Sequence, residues 1–331
     1  MSEQTRGKRA RIDCNMMNPV WTSDASSSYQ LTSREQHLLH QYLGLSLMAP
    51  DPNTAQMNRG LLKLTFSNPF LMHASLAVAL AYDQCLAGHR YPQHRSDVYY
   101  HWSQSLLIFS KGLKEPVAMM NKDALWGTAA ALAVLTFAFP DANTPEESWP
   151  LYPSARPDLQ WLNMSQGKMT LWDIANPLRP ESIFSVMIDT YALMNSSMPS
   201  KGLARMPMSL AAICFLTVES TSDTSPYFIP AHAVSEILVL PDCDVEIGHT
   251  ERFTQSIHGS FKDLLANKDP TALLLLFLWY RKASHNIWWI RSRASVECPA
   301  ILTYLKQHHR HHNDVLTSLM DEFLVECPDV S

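Results

Sequence analysis

The sequence predicts an all-α protein, a single large helical domain with an apolar cavity, and three observations lead there. Apolar residues recur at helical spacing along most of the 331 residues, and no segment sustains the alternation of a half-buried strand. Four stretches, 68–82, 124–139, 208–218 and 271–290, are apolar nearly all round. A helix of that kind has no solvent face and belongs inside a helical body. Charged residues make up 17% of the chain, fewer than the ~25% of an average globular protein, while methionine (16) and tryptophan (9) are plentiful. Few charges with many adaptable side chains point to a thick core, either solid throughout or built around an adaptable apolar cavity.

Taken in order, residues 1–30 read as a disordered basic and polar tail, with a serine run at Ser26–Ser28 and no periodicity. The run Arg6–Arg11 has the make-up of a short nuclear-import signal. The polar, basic start has no apolar core behind it and predicts no signal peptide, so a nuclear or cytoplasmic protein is expected. The first 28 residues carry +1 of the net charge of −5, leaving −6 for the rest. A domain of that sign has no electrostatic footprint for nucleic acid.

The helical domain is expected over 31–327. Thr32 with Glu35, or Ser33 with Gln36, offers a capping box for a helix ending near Met48, where Pro50 and Pro52 break it. A short helix over 54–64 leads to the central stretch, where Asn68 can cap and Pro69 fits the first helical position. After a loop at 88–92, residues 95–113 place Tyr99, Trp102, Leu106, Phe109 and Leu113 at helical spacing. Residues 124–140 hold no formal charge, at the lower limit for a membrane span. Gly127, two threonines and equally apolar neighbours make this a core helix, and no membrane span is expected. Five prolines in 140–157 mark a loop or lid. Helices are then expected over 158–174, 183–194, 208–218, 250–267 and 271 to about 295, with 237–247 irregular. One or two shorter helices should follow Pro299 and end near Cys327.

Chemistry is sparse. His308 and His312 of the H-H-R-H-H run stand at i, i+4 spacing, but no acid or cysteine falls in register, so a solvated helix end is expected and no metal. The six cysteines include no C-x-x-C pair and read as reduced, mostly buried thiols. Ten glycines supply neither G-x-G-x-x-G nor a Walker loop, and no cofactor is expected. Asp173 and Asp189 lie in otherwise apolar helices, where they are either buried acids or simply the polar side. The most unusual stretch is 279–289. On one continuous helix Arg281, His285, Trp288 and Trp289 share a side. That stripe either lines a pocket, with His285 or Arg281 meeting a ligand oxygen, or splits into core indoles and solvated charges. Trp126, Trp279, Arg281, His285, Trp288 and Trp289 are the candidate ligand-binding residues, in a cavity between helices 68–82, 124–139 and 271–290. The proline-rich 140–157 would close one side.

Residues 68–82 (NPFLMHASLAVALAY) and 100–106 (YHWSQSL), with 123–138 (DALWGTAAALAVLTFA), Trp149, 159–162 (LQWL) and 286–291 (NIWWIR), resemble a known family. It is the C-terminal regulatory domain of fungal binuclear zinc-cluster transcription factors, nearest the sterol-uptake-control type. The resemblance implies a helical domain, usually dimeric, with a cavity that in the sterol branch holds a sterol. Six cysteines packed near the N-terminus would form the zinc cluster, and here only Cys14 lies there. The expectation is therefore a stand-alone protein binding an apolar, sterol- or terpenoid-like small molecule. It would bind no nucleic acid directly and act as a regulator through a partner, as a homodimer or a heterodimer with a related factor. The alternative is an enzyme of fungal secondary metabolism that reuses the cavity to cyclise or rearrange a terpenoid or polyketide by orienting it. A third possibility is a zinc cluster encoded upstream of Met1.

Overall fold

The computed structural model describes residues 20–24, 27–47, 51–87, 95–114, 121–152 and 159–309. Its first element departs from the expected tail. Strands β1 (Val20–Asp24) and β2 (Ser27–Gln30) pair antiparallel, with Val20 opposite Gln30 and Trp21 opposite Tyr29, and the register shifts between Thr22 and Asp24. Every other regular element among the described residues is helical. The Arg6–Arg11 run, Cys14, Pro50, the 88–92 loop, His311, His312 and the helices sought beyond 309 lie outside the described residues.

Local chemistry sets the first half. The Thr32/Glu35 capping box forms and starts α1 (Ser33–Leu39), which passes into a π-helical turn over His40–Gly44. Asp51 accepts from the Thr54 N–H at 2.9 Å and, with Pro52 at the first position, opens α2 (Pro52–Thr65). Helix α3 (Pro69–Leu86) starts at Pro69 as its sequence dictates. Asn68 makes no side-chain cap, however: its Nδ2 donates instead to the Leu64 carbonyl at 2.8 Å and closes the end of α2. Helix α4 (Arg95–Gly112) packs along α3. Helix α5 (Lys122–Ala138) is capped by Asn121 Oδ1, which accepts from Asp123 N and Ala124 N at 3.0 Å each.

The second half is more broken than its periodicity suggests. The 158–174 helix divides at Leu171 into α6 (Gln160–Thr170) and α7 (Trp172–Ala175). Residues 183–194 give a short 3-10 turn and then α8 (Ile188–Met194). Only Met208–Ile213 of the 208–218 stretch is helical (α9), and Met208, Phe215 and Val218 are exposed. Helix α10 (Phe228–Leu238) has no counterpart in the sequence expectation. It is buried on nearly every side, so it carries no clear helical stripe. The 250–267 helix is two, α11 (Ile247–Ser256) and α12 (Gly259–Ala266), divided where Gly259 adopts φ +51°.

Helix α13 (Pro270–Ala283) is the most enclosed element: residues 271–280 are all buried. Burying each large aliphatic side chain contributes about 1.5–3 kcal/mol relative to leaving it in water. Helix α14 (Trp288–His309) carries Pro299 inside it, where a helix end was expected. It packs on α13, α5 and α3, joining both halves into one domain.

Buried polar groups tie these helices together. Arg293 of α14 donates to the Phe137 and Thr136 carbonyls at 2.7 and 3.2 Å and pairs with Glu297, which accepts from Tyr280 Oη at 2.6 Å. His73 of α3 meets His101 of α4 through their Nδ1 atoms at 2.8 Å, and His101 Nε2 meets Glu35 of α1 at 2.9 Å. Asp123 receives Arg179 at 2.6 Å, the Ser182 hydroxyl at 2.8 Å and the Ile183 N–H at 3.0 Å, which anchors the turn before α8. No described helix is long and apolar enough to cross a membrane.

Candidate ligand-binding site

Two adjoining hollows open on the face where α2, α5 and α8 meet. The larger one is a cleft of about 1,010 Å³. Its walls are α2 (Met57, Leu61), α3 (Leu71, Val78), α5 (Ala130, Val134), the 184–187 turn and Trp288. The smaller one is a chamber of about 220 Å³ between α5, α6, α8, α11 and α13, lined by Trp126, Trp161, Tyr191 and Trp279. Met57, Val134, Phe184, Met187, Thr190 and Trp289 line both, so the two share a wall. Small residues make the room: Ala130 and Val134 face both hollows from α5, and Gly127 lies against Leu61, where a Cβ would stand 2.8 Å away.

The chamber is an aromatic box with fixed orientations. Trp161 and Trp279 stack at 4° with centroids 6.5 Å apart, and Phe137 meets Trp161 edge-on at 4.8 Å. The Trp279 indole N–H donates to the Thr250 carbonyl at 3.2 Å. Trp126 Nε1 donates to Tyr191 Oη at 2.9 Å. Burial raises the Tyr191 phenol to about 12, so it stays protonated at neutral pH. Trp161, 2% exposed, has an indole N–H with no hydrogen-bond partner. At the edge Lys168 and Glu251 pair at 3.4 Å.

The structure brings four of the six expected residues together. Trp126, Trp279, Trp288 and Trp289 all line the hollows. Arg281 and His285 line neither among the described residues, and the reason is the helix. The S-H-N triplet at 284–286 ends α13, since short polar side chains compete with helical hydrogen bonding. Arg291 Nε then donates to the freed Ser284 carbonyl at 2.9 Å, and Asn286 Nδ2 donates to the Asp242 carbonyl at 2.6 Å. The stripe that needs one continuous helix therefore does not form. His285 is exposed beside Asp242 at 3.4 Å, and Arg281 sits in the last turn of α13. Lys282 pairs with Asp242 at 2.7 Å and holds that carboxyl below its usual range.

Some of the other expectations change and some do not. The 140–152 segment lines neither hollow among the described residues, and 153–157 lies outside them. Asp173 and Asp189 are exposed rather than buried, although Asp189 stands on the cleft wall. His308 is exposed and stacks on Tyr304. The described cysteines are free: Cys214 is buried, Cys85 and Cys298 are half-buried and Cys243 is exposed. Among the described residues no cluster of three His, Cys, Asp or Glu side chains could hold a metal.

Sequence reasoning missed the walls supplied by α2, α8 and α11, and with them Met57, Tyr191 and Thr250. It also missed Trp161, whose buried, unpartnered indole is visible only once the chamber is assembled. Comparison with protein-family models and with curated proteins returns no match to this chain.

Proposed function

We propose that this protein binds an apolar small molecule of sterol or terpenoid size in the cleft and chamber, and acts as a regulator through a partner. The observation that carries the ligand reading is the larger cleft, about 1,010 Å³, walled mainly by aliphatic, methionine and indole groups and adjoining an aromatic chamber. Small-molecule sites are typically ~300–1,000 Å³, mostly apolar, with a few placed polar groups. Asn58, Ser75 and Thr54 supply such groups here. The regulatory part, and dimerisation with itself or with a related factor, rest on the resemblance to fungal transcription-factor domains.

The concentration of indoles around the chamber supports a second reading, an enzyme that folds a terpenoid or polyketide against aromatic walls so that it cyclises. Both readings share the ligand class and part at the product. Native mass spectrometry of protein purified from its own host tests the shared part. An apolar adduct released by organic solvent is expected. Protein free of adduct that also fails to bind a sterol and terpenoid panel, read by tryptophan quenching, overturns it. Turnover of a bound polyene selects the enzyme, and unchanged recovery selects the regulator.

A further inference from the structure

The polar groups on the wall of the larger cleft differ in what they still have to offer a ligand. Resting on the apolar-ligand reading, we propose that Ser75 anchors a single neutral oxygen, a hydroxyl or a carbonyl, on an otherwise apolar molecule, and that the cleft excludes its anionic counterparts.

Three uncharged polar side chains on the walls from α2 and α3 are Thr54, Asn58 and Ser75. Thr54 Oγ1 donates to Met187 Sδ at 3.8 Å, and Asn58 Nδ2 donates to Ser46 Oγ at 2.8 Å. Ser75 is 9% exposed, and its hydroxyl has no hydrogen-bond partner among the described residues. Buried hydroxyls inside helices commonly bond the carbonyl one turn back. Thr128 does so to Ala124 and Ser235 to Ala231, each at 2.8 Å. Ser75 does not. Its oxygen keeps accessible surface, unlike the sealed, partnerless indole nitrogens of Trp102, Trp149 and Trp161, and the surface it keeps is on the cleft. On α3 it stands between Leu71 and Val78 at i, i+4, i+7 spacing, so a lone hydroxyl interrupts an apolar stripe. Helix α5 faces the same cleft with Gly127, Ala130 and Ala131, which leaves room in front of it. A buried hydroxyl without a partner costs free energy, and a ligand oxygen seated here recovers it.

The charges on the wall have one sign. Asp51, Asp189 and Glu246 border the cleft, and no Lys, Arg or His does among the described residues. Low-dielectric walls carrying charge of one sign focus its field into the space between them. A carboxylate or diphosphate entering there meets repulsion and no cation. A serine hydroxyl can donate to a ligand hydroxyl or carbonyl without any charge. The enzyme reading narrows accordingly, to a substrate that enters as a neutral molecule.

The test uses the full chain and three matched fluorescent probes, 1-pyrenemethanol, 1-methylpyrene and 1-pyrenecarboxylate, titrated at low salt. Ser75→Ala should weaken 1-pyrenemethanol roughly 3- to 10-fold, the worth of one hydrogen bond. The same variant should change 1-methylpyrene by less than about twofold, since packing alone holds it. Ser75→Cys keeps a group of similar volume with a weaker donor, so its effect on the alcohol should be in the same direction and remains informative if alanine disturbs the fold. The carboxylate should bind at least about tenfold more weakly than the alcohol. Lost hydration alone weakens any carboxylate, so the wall charges are read from Asp189→Asn. That variant should strengthen the acid about two- to fivefold and leave the alcohol within about twofold. Equal losses of alcohol and hydrocarbon in the Ser75 variants, or no loss of the alcohol, overturn the anchor. Acid binding as tight as the alcohol's, or unmoved by Asp189→Asn, overturns the exclusion. In each of these cases bound 1-methylpyrene leaves the apolar-ligand reading standing. Failure of all three probes to bind the unaltered protein overturns both.

Discussion

Arg293 and Glu297, one turn apart on α14, form an ion pair in which each side chain is 1% exposed. The guanidinium also closes the carbonyls of Thr136 and Phe137 at the end of α5, and the carboxylate receives the Tyr280 hydroxyl of α13. Removing one member of such a pair strands the other charge. Glu297→Gln and Arg293→Met should each cost ~3–5 kcal/mol in urea unfolding, and the double variant Arg293→Met/Glu297→Leu should cost less than their sum. Single-variant losses below about 1 kcal/mol would show that the pair does not organise the junction.

Stability should fall on mild acidification, through His73. Burial first, and then the neighbouring His101, lower it from 6.5 to about 4, against a smaller opposing effect of Glu35. Between those values the unfolded chain binds a proton that the folded chain refuses. Stability is therefore full above pH 6.5 and declines as pH falls towards 4. The loss should reach ~2–3 kcal/mol. His73→Gln should flatten this part of the profile relative to the unaltered protein, which removes the contribution of other acids from the comparison. Parallel profiles for the two proteins would exclude His73 as the source.

Trp288 separates cleft from core. It is 7% exposed, meets Tyr82 edge-on at 5.4 Å and stands on the cleft wall. Trp288→Ala should cost ~2–3 kcal/mol, less than the ~3–5 kcal/mol of an indole enclosed on every side, because one side already borders open space. Affinity for an apolar guest should drop about tenfold, in keeping with the apolar area removed from its contact. A larger stability loss with guest affinity unaltered would mean that the cleft holds nothing at this place.

Gly248 sets how closely α11 approaches α8. A Cβ there would stand 2.9 Å from the Thr190 carbonyl and 3.0 Å from Leu193 Cδ2. Gly248→Ala should therefore push α8 away and cost ~1–3 kcal/mol, as overpacking does. Since Tyr191 rides on α8, the Trp126–Tyr191 bond should lengthen, read as a shift in tryptophan emission. A variant as stable as the parent, with unchanged emission, would show that α8 yields freely.

What the sequence made legible was what neighbouring residues decide. The Thr32/Glu35 box and Pro69 are short-range chemistry, and α1 and α3 start where they dictate, whereas Pro52, read as a breaker, opens α2 two residues before its expected start. The indoles Trp126, Trp279, Trp288 and Trp289 reach the hollows because apolar helices must face one another. Arg281 and His285 do not, because their shared face depended on residues 284–286 staying helical. The competing hydrogen bonds come from Arg291 and from the Asp242 carbonyl, one seven residues on from Ser284 and the other forty-four residues before Asn286. Helix α10 and the wall from α2 were hidden for a related reason. The sequence of a segment buried on all sides records no direction, and nothing local says which helix will stand opposite.

The turn anchored by Asp123 also bears on how such a site diversifies. One carboxylate at the start of α5 holds Arg179, Ser182 and the Ile183 N–H, and the residues just beyond, Phe184, Val186 and Met187, face the cleft. Anchor and lining are thus separate inheritances on one short segment. Drift or directed evolution can exchange the three facing side chains, and with them the shape of molecule admitted, while the frame that presents them stays fixed.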